Sequence, residues 1–181
     1  RGGRGARPAW PSYDTTSKMT PPLRSAVDRT AILEGLKAGV LEILCSDHAP
    51  HCNYEKDVEF DDAPFGITGL ETELGLALTE LYHAGHLTLP QVIEKFTVRP
   101  AALLGLSDAE TKLPLGRIAP GHVADLTLLD PERRWQFVRA QTRSKSANTT
   151  FDGWPMRGRA VATLHRGDPV FSEVPGLEAG A

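Results

Sequence analysis

An acid and two histidines stand together at Asp47-His48-Ala49-Pro50-His51. Carboxylate and imidazole are the side chains that hold zinc or carry protons near neutral pH. Directly before them runs Val40-Leu41-Glu42-Ile43-Leu44-Cys45-Ser46, too short and too apolar for an exposed element, which reads as a strand buried on both faces. In a parallel α/β barrel the C-terminal ends of the strands carry the reacting groups, so the acid falls where such a fold does its chemistry. Taken alone, the stretch also suits a turn in which Asp caps backbone amides and the histidines are solvated. The flanking elements favour the chemical reading.

Upstream, Ser25 followed by Asp28 resembles a capping box that opens a helix with the acid at the positive end of its dipole. Ala31, Ile32, Gly35 and Leu36 lie on one face of that helix, and Gly39 suits the left-handed position that ends it. Downstream, Thr68 with Glu71 reads as a second capping box, for a helix whose apolar stripe is Leu70, Leu74, Ala77, Leu78 and Leu81 and which closes near Gly85. Helix, strand, loop, helix is one step of a β/α barrel. The connecting loop, 47–67, is far longer than the usual 2–6 residues, and ordered loops of that length usually carry function. Thr88 and Gln91 open a short helix through Phe96, and Pro100 suits the first turn of another that ends at Gly105. After Asp108 the periodicity falls towards two: 124–129, 135–138 and 160–164 read as strands, and Gly167-Asp168 as a hairpin turn before Val170-Phe171.

The DHAPH stretch, followed by Asp62-Ala63-Pro64-Phe65-Gly66-Ile67 and Gly69-Leu70-Glu71-Thr72, resembles dihydroorotase, of the class related to other cyclic amidohydrolases. Further stretches agree in order and spacing. They are Lys18-Met19-Thr20-Pro21-Pro22-Leu23-Arg24, Arg99-Pro100-Ala101-Ala102-Leu103-Leu104-Gly105-Leu106, Gly116-Arg117-Ile118-Ala119-Pro120-Gly121 with Ala124-Asp125-Leu126, and Ser144-Lys145-Ser146 with Asn148-Thr149 and Phe151-Asp152-Gly153-Trp154. The resemblance runs over residues 13–170 and implies an α/β fold: the C-terminal part of a (β/α)8 TIM-type barrel over 13–108, then strands of a small β-sandwich over 109–173. Residues 1–12 and 174–181 remain as tails, the first expected to be disordered.

The resemblance also implies a site. Asp47 would bind one ion of a zinc centre and act as general base, taking a proton from the attacking water and handing it to the leaving ring nitrogen. His51 would bind the carboxylate side of the substrate, and the backbone of Phe65-Gly66 its pyrimidine ring, with Gly66 allowing the chain to come close. The reaction implied is the reversible cyclisation of N-carbamoyl-aspartate to dihydroorotate. His48 has no role to carry over, and a supporting hydrogen bond is expected of it. Thr20 stands where the family usually has a substrate-contacting Asn and offers a shorter reach with fewer donors. Thr150 stands where the family usually has Pro, an exchange expected to be harmless.

Length limits what this chain can hold. A complete (β/α)8 barrel takes about 250 residues; this chain has 181 and begins at Arg1, so it reads as a C-terminal fragment that is inactive by itself. The family's His-x-His pair, its carboxylated Lys and its other metal histidines have no counterpart among His48, His51, His83, His86, His122 and His165. His83 and His86 fall at a helix C-terminus, where the dipole favours a cation; His122 and His165 are expected at the surface. Net charge is −3, which argues against nucleic acid or an anionic membrane as main partner, and no apolar stretch approaches the roughly 20 residues of a membrane span. Cys45 and Cys52 form no disulfide framework, which fits a reducing cytoplasm, and Cys52 reads as a bystander thiol beside His51. The Arg- and Gly-rich start, 1–12, has the look of a short RNA-contacting tail, but one such stretch is a poor signal and a truncation or frame artefact fits it better. Besides dihydroorotase, two readings remain open. One is an allantoinase- or hydantoinase-like enzyme, disfavoured by His51 and Phe65-Gly66. The other is a non-catalytic support for aspartate transcarbamoylase, disfavoured by the retained Asp47. A homodimer is a further possible assembly.

Overall fold

The computed structural model describes residues 13–180; the expected tail 1–12 and Ala181 lie outside the described residues. Helix α1 (Ala26–Lys37) opens with the capping box expected of Ser25 and Asp28, each side chain bonding the other's backbone N–H. It ends at Gly39, which takes φ 73°. α2 (Asn53–Lys56) is a single turn within the long loop. α3 (Glu73–Ala77) runs into a π turn over Leu78–Tyr82, and Gly85 at φ 77° closes it. α4 (Leu89–Phe96) carries the Thr88–Gln91 box, and α5 (Val98–Leu103) is followed by Gly105 at φ 62°. The strands β1 (Leu126–Gln136), β2 (Pro155–His165) and β3 (Asp168–Ser172) form an open antiparallel sheet in the order β1-β2-β3.

Several expectations are corrected by this arrangement. Residues 40–46 form no strand: Val40 is 76% exposed, and Leu44 N–H instead donates to the Lys95 carbonyl at 3.1 Å. A strand is held by its neighbours, and among the described residues only a parallel bridge between His48 and Ile67 marks where one would lie. The same lack shifts the buried face of α1. Leu36 is buried with Leu33 against it, whereas Ile32 and Ala31 face solvent. Thr68 and Glu71 cap no helix, because α3 starts only at Glu73; the Thr68 hydroxyl donates to the Asn148 carbonyl and the Glu71 carboxylate accepts from the Thr142 hydroxyl and the backbone N–H groups of Arg143 and Ser144. Leu70, placed on the stripe, is 62% exposed. The two strands expected over 124–138 are one, with its ladder interrupted between Asp130 and Arg134. The β2–β3 turn is centred on Arg166-Gly167, both at positive φ, as a two-residue hairpin requires.

The core has two parts. Leu36, Ala77, Leu78, Leu81, Leu87 and Val92 join the helices, and Phe137, Trp154 and Met156 cover one face of the sheet. The π segment locks the two together: Thr79 Oγ1 donates to the Gly75 carbonyl (2.7 Å) and accepts from Arg157 N–H (2.8 Å). His83 Nε2–H donates to the Pro131 carbonyl at 2.7 Å, so this histidine ties the helix end to β1. Gly75 and Gly158 are the close-approach points. A Cβ on Gly75 would stand 2.8 Å from Met156 Sδ, and one on Gly158 2.5 Å from Leu78 Cδ1. No helix among the described residues is long and apolar enough to cross a membrane.

Candidate functional site

The end of the 40–46 segment is held from below by α3. Ser46 N–H donates to the Glu73 carboxylate at 2.8 Å, and Gly69 lets Ser46 approach so closely that a Cβ there would stand 2.6 Å from Ser46 Cβ. Ala49 N–H then donates to the Ile67 carbonyl at 2.8 Å. The His48 ring is turned to structural use, as its Nδ1 accepts Gly69 N–H at 3.1 Å. Asp47 is left exposed between these fixed points, and its carboxylate makes no hydrogen bond or ion pair among the described residues.

The His51 ring lies between two acceptors. Its Nε2–H donates to the Phe65 carbonyl at 2.9 Å, and its Nδ1 is 3.9 Å from the Glu55 carboxylate. Gly66 is held on both sides, its N–H by the Lys18 carbonyl (2.9 Å) and its carbonyl by Asn148 Nδ2 (3.3 Å). Its φ is 104°, and a Cβ would stand 2.5 Å from that of Ala49. Glycine is therefore required by the approach of the DHAPH loop and by the backbone angle, in addition to the ligand approach that the resemblance implies. Two buried lysines support this loop. Lys18 Nζ donates to the Asp61 carbonyl (2.8 Å) and lies 4.8 Å from the Phe65 ring centroid. Lys56 Nζ donates to the Pro64 carbonyl (2.6 Å) and the Thr15 carbonyl (3.2 Å). Burial, and then the charge of Lys18, hold the Lys56 ammonium below the usual lysine range, with Asp14 opposing in part.

Thr20, Asp47, Phe65 and Gly66 line one open cavity of about 420 Å3, together with Ser46 and Glu73. His51 does not line it; its ring meets the lining through the Phe65 carbonyl. The Thr20 hydroxyl has no hydrogen-bond partner among the described residues. Sequence reasoning missed Glu73 and the pair Ser146 and Asn148. The heptad-like stripe drew attention to the leucines around Glu73, and Ser146 and Asn148 were seen only as part of a matching stretch, without a role. The available signal was weak: small polar residues in a segment otherwise bracketed by strands.

Zinc is the metal the family resemblance implies. A catalytic zinc takes three protein ligands, and among the described residues no group of three His, Cys, Asp or Glu side chains stands together. The free Asp47 carboxylate suits one coordination position. The described residues do not by themselves fit a metal centre.

Comparison with known proteins agrees with the geometry. The model of the amidohydrolase family matches residues 15–169. A dihydroorotase of Pelotomaculum thermopropionicum is 45% identical over 89% of this chain, and one of Geobacter metallireducens 44% identical over 88%. The chain spans 36% of the length of each. Among solved structures, the L-hydantoinase (dihydropyrimidinase) of Arthrobacter aurescens superposes with a TM-score of 0.81 at 31% identity, covering 93% of this chain and 36% of its own. A D-hydantoinase of a Bacillus species gives 0.77 at 25% identity, covering 88% of this chain and 34% of its own. With a free acid behind the 40–46 segment in a cavity lined by loop backbone, and with the family model matching almost the whole described chain, this protein belongs to the amidohydrolase family.

Proposed function

We propose that the chain serves a dihydroorotase, a zinc-dependent cyclic amidohydrolase that interconverts dihydroorotate and N-carbamoyl-aspartate, with residues 13–108 as barrel and 109–173 as sandwich strands. The observation that supports this reading most is that the unpaired Asp47 carboxylate and the Phe65–Gly66 backbone line the same cavity. In ring opening, Asp47 takes a proton from the attacking water, a carbon–oxygen bond forms at the ring amide carbonyl, the carbon–nitrogen bond breaks, and Asp47 returns the proton to the leaving nitrogen. Ring closure reverses these steps. Glu73, by holding Ser46 N–H, keeps the end of the 40–46 segment and hence Asp47 in place. Zn2+ is the cofactor we propose; Asp47 offers it one position, and the others would come from outside the described residues.

A hydantoinase-like reading is favoured by the structural likeness to the Arthrobacter aurescens enzyme. The two differ in the substrate carboxylate, which dihydroorotate carries and a simple hydantoin lacks. The test is turnover of the protein at its natural length with dihydroorotate, hydantoin and allantoin in parallel. Dihydroorotate is expected to be preferred, and Asp47→Asn is expected to lower kcat by about 100-fold or more, because positioned proton transfer contributes roughly 10²–10⁴-fold. Preference for hydantoin would overturn the substrate assignment. Turnover by Asp47→Asn within a few-fold of the parent would overturn the role of Asp47, and no turnover of any of the three would favour a non-catalytic support of aspartate transcarbamoylase.

A further inference from the structure

We propose that Asn148 and Ser146 are positioning residues that set the Phe65–Gly66 wall of the cavity by fixing the Gly66 backbone to that of Ala49 and His51; the proposal rests on the function proposed above. Neither residue lines the cavity. Asn148 is 4% exposed and Ser146 8%, so both work in a setting where an unpaired polar group is costly.

The single Asn148 amide bridges three backbone groups from two loops. Its Nδ2 donates to the Ala49 carbonyl (3.0 Å) and the Gly66 carbonyl (3.3 Å), and its Oδ1 accepts His51 N–H (3.1 Å). Ser146 Oγ also accepts His51 N–H (3.1 Å) and reaches the His51 carbonyl. The Asn148 carbonyl takes Thr68 N–H at 2.9 Å. The segment is itself anchored, because the Glu71 carboxylate accepts Arg143 N–H (3.0 Å) and Ser144 N–H (3.2 Å). An amide is the side chain that offers two donors and an acceptor at this reach. Aspartate would set a charge against two carbonyls, and leucine would leave the Ala49 and Gly66 carbonyls without this donor and His51 N–H with Ser146 Oγ alone. The clamp touches the loops of His51 and Phe65-Gly66 and makes no bond to Asp47, so its loss should weaken binding of the ring at the Phe65–Gly66 backbone more than proton transfer.

The test uses the protein at its natural length with Asn148→Ala, Ser146→Ala and Asn148→Asp, the last keeping size and acceptor while removing both donors. Expected are a KM for dihydroorotate raised about tenfold or more in each, kcat within about threefold, and bound metal unchanged. Wild-type KM in Asn148→Ala and Asn148→Asp, or a fall in kcat with KM unchanged, would overturn the clamp while leaving the proposed function standing. If the parent turns over none of the cyclic amides, the proposed function fails. The clamp is then read by amide hydrogen exchange in the same proteins. Faster exchange at His51 with core amides such as that of Leu78 unchanged supports it, and uniform or absent change overturns it.

Discussion

At the scale of single residues, the structure separates groups that face the cavity from groups that hold them there. Asp47 stood out because an acid and two histidines follow an apolar run, and its carboxylate is exposed at the cavity; the support expected of His48 is the bond its ring accepts from Gly69 N–H. Gly66 was found for a reason that proved incomplete, since the steric partner is Ala49 of the facing loop, and no spacing rule reports such a meeting. Glu71 illustrates how a supporting acid acquires a pH signature. Burial pushes its carboxyl up, but hydrogen bonds from Thr142, Arg143 and Ser144 outweigh this and hold it below the usual glutamate value. With the folded value depressed, the stabilisation is present above the unfolded value and lost as pH falls through the folded one. Urea midpoints followed downward from about pH 5 should therefore fall more steeply in the parent than in Glu71→Gln; parallel slopes would show that the carboxylate contributes nothing. Thr150, expected to be harmless in place of Pro, has a buried hydroxyl with no hydrogen-bond partner. Removing it as Thr150→Val should stabilise by about 1 kcal/mol, read as a higher urea midpoint, whereas a lower midpoint would mean that the hydroxyl is served.

At the scale of elements, local signals were reliable and neighbour-dependent ones were not. The boxes at Ser25 and Thr88 and the glycines after α1, α5 and the π segment came out as read, because caps and left-handed turns are decided within a few residues. The 40–46 strand did not, because a β-ladder needs a second chain segment beside it. Thr68 and Glu71 had the spacing of a cap but were claimed by 142–148, distant in sequence. The contact of α3 and its π extension with β2 depends on glycine in the same way. Gly158 combines φ 97° with a Cβ position 2.5 Å from Leu78 Cδ1, and Leu78 is fully buried. Gly158→Ala should cost about 2–5 kcal/mol, the left-handed strain of about 1–2 adding to overpacking of about 1–3. Equilibrium unfolding gives this directly, and a loss under about 0.5 kcal/mol would mean that Leu78 moves aside freely.

For the whole molecule, the chain matches its relatives over nearly all of its own length and about a third of theirs, and its exposed apolar side chains fit that proportion. Ile118 is 89% exposed and Val40 76%, and the sheet is open at β1 and β3. The 181-residue chain purified by itself is expected to associate at high concentration and to retain less than about 0.1 zinc per chain after dialysis, since one carboxylate falls short of the three ligands a catalytic site takes. Light scattering and metal analysis measure both. One zinc per chain in a monomer would require ligands beyond Asp47.

The Asn148 clamp has a consequence for how the protein is made. It closes on His51 across 97 residues of sequence, and a ribosome adding about 5–20 residues per second needs roughly 5–20 s to supply that length. Throughout that interval the DHAPH loop has emerged without the amide that fixes its backbone. Its helical neighbours can form at once, but the binding face of the cavity must wait until the chain has passed β1. Asp47 is therefore synthesised early with both its neighbours' anchors, Glu73 and Ile67, close behind, whereas the loop from Ala49 to His51 takes its final shape only after Asn148 has emerged.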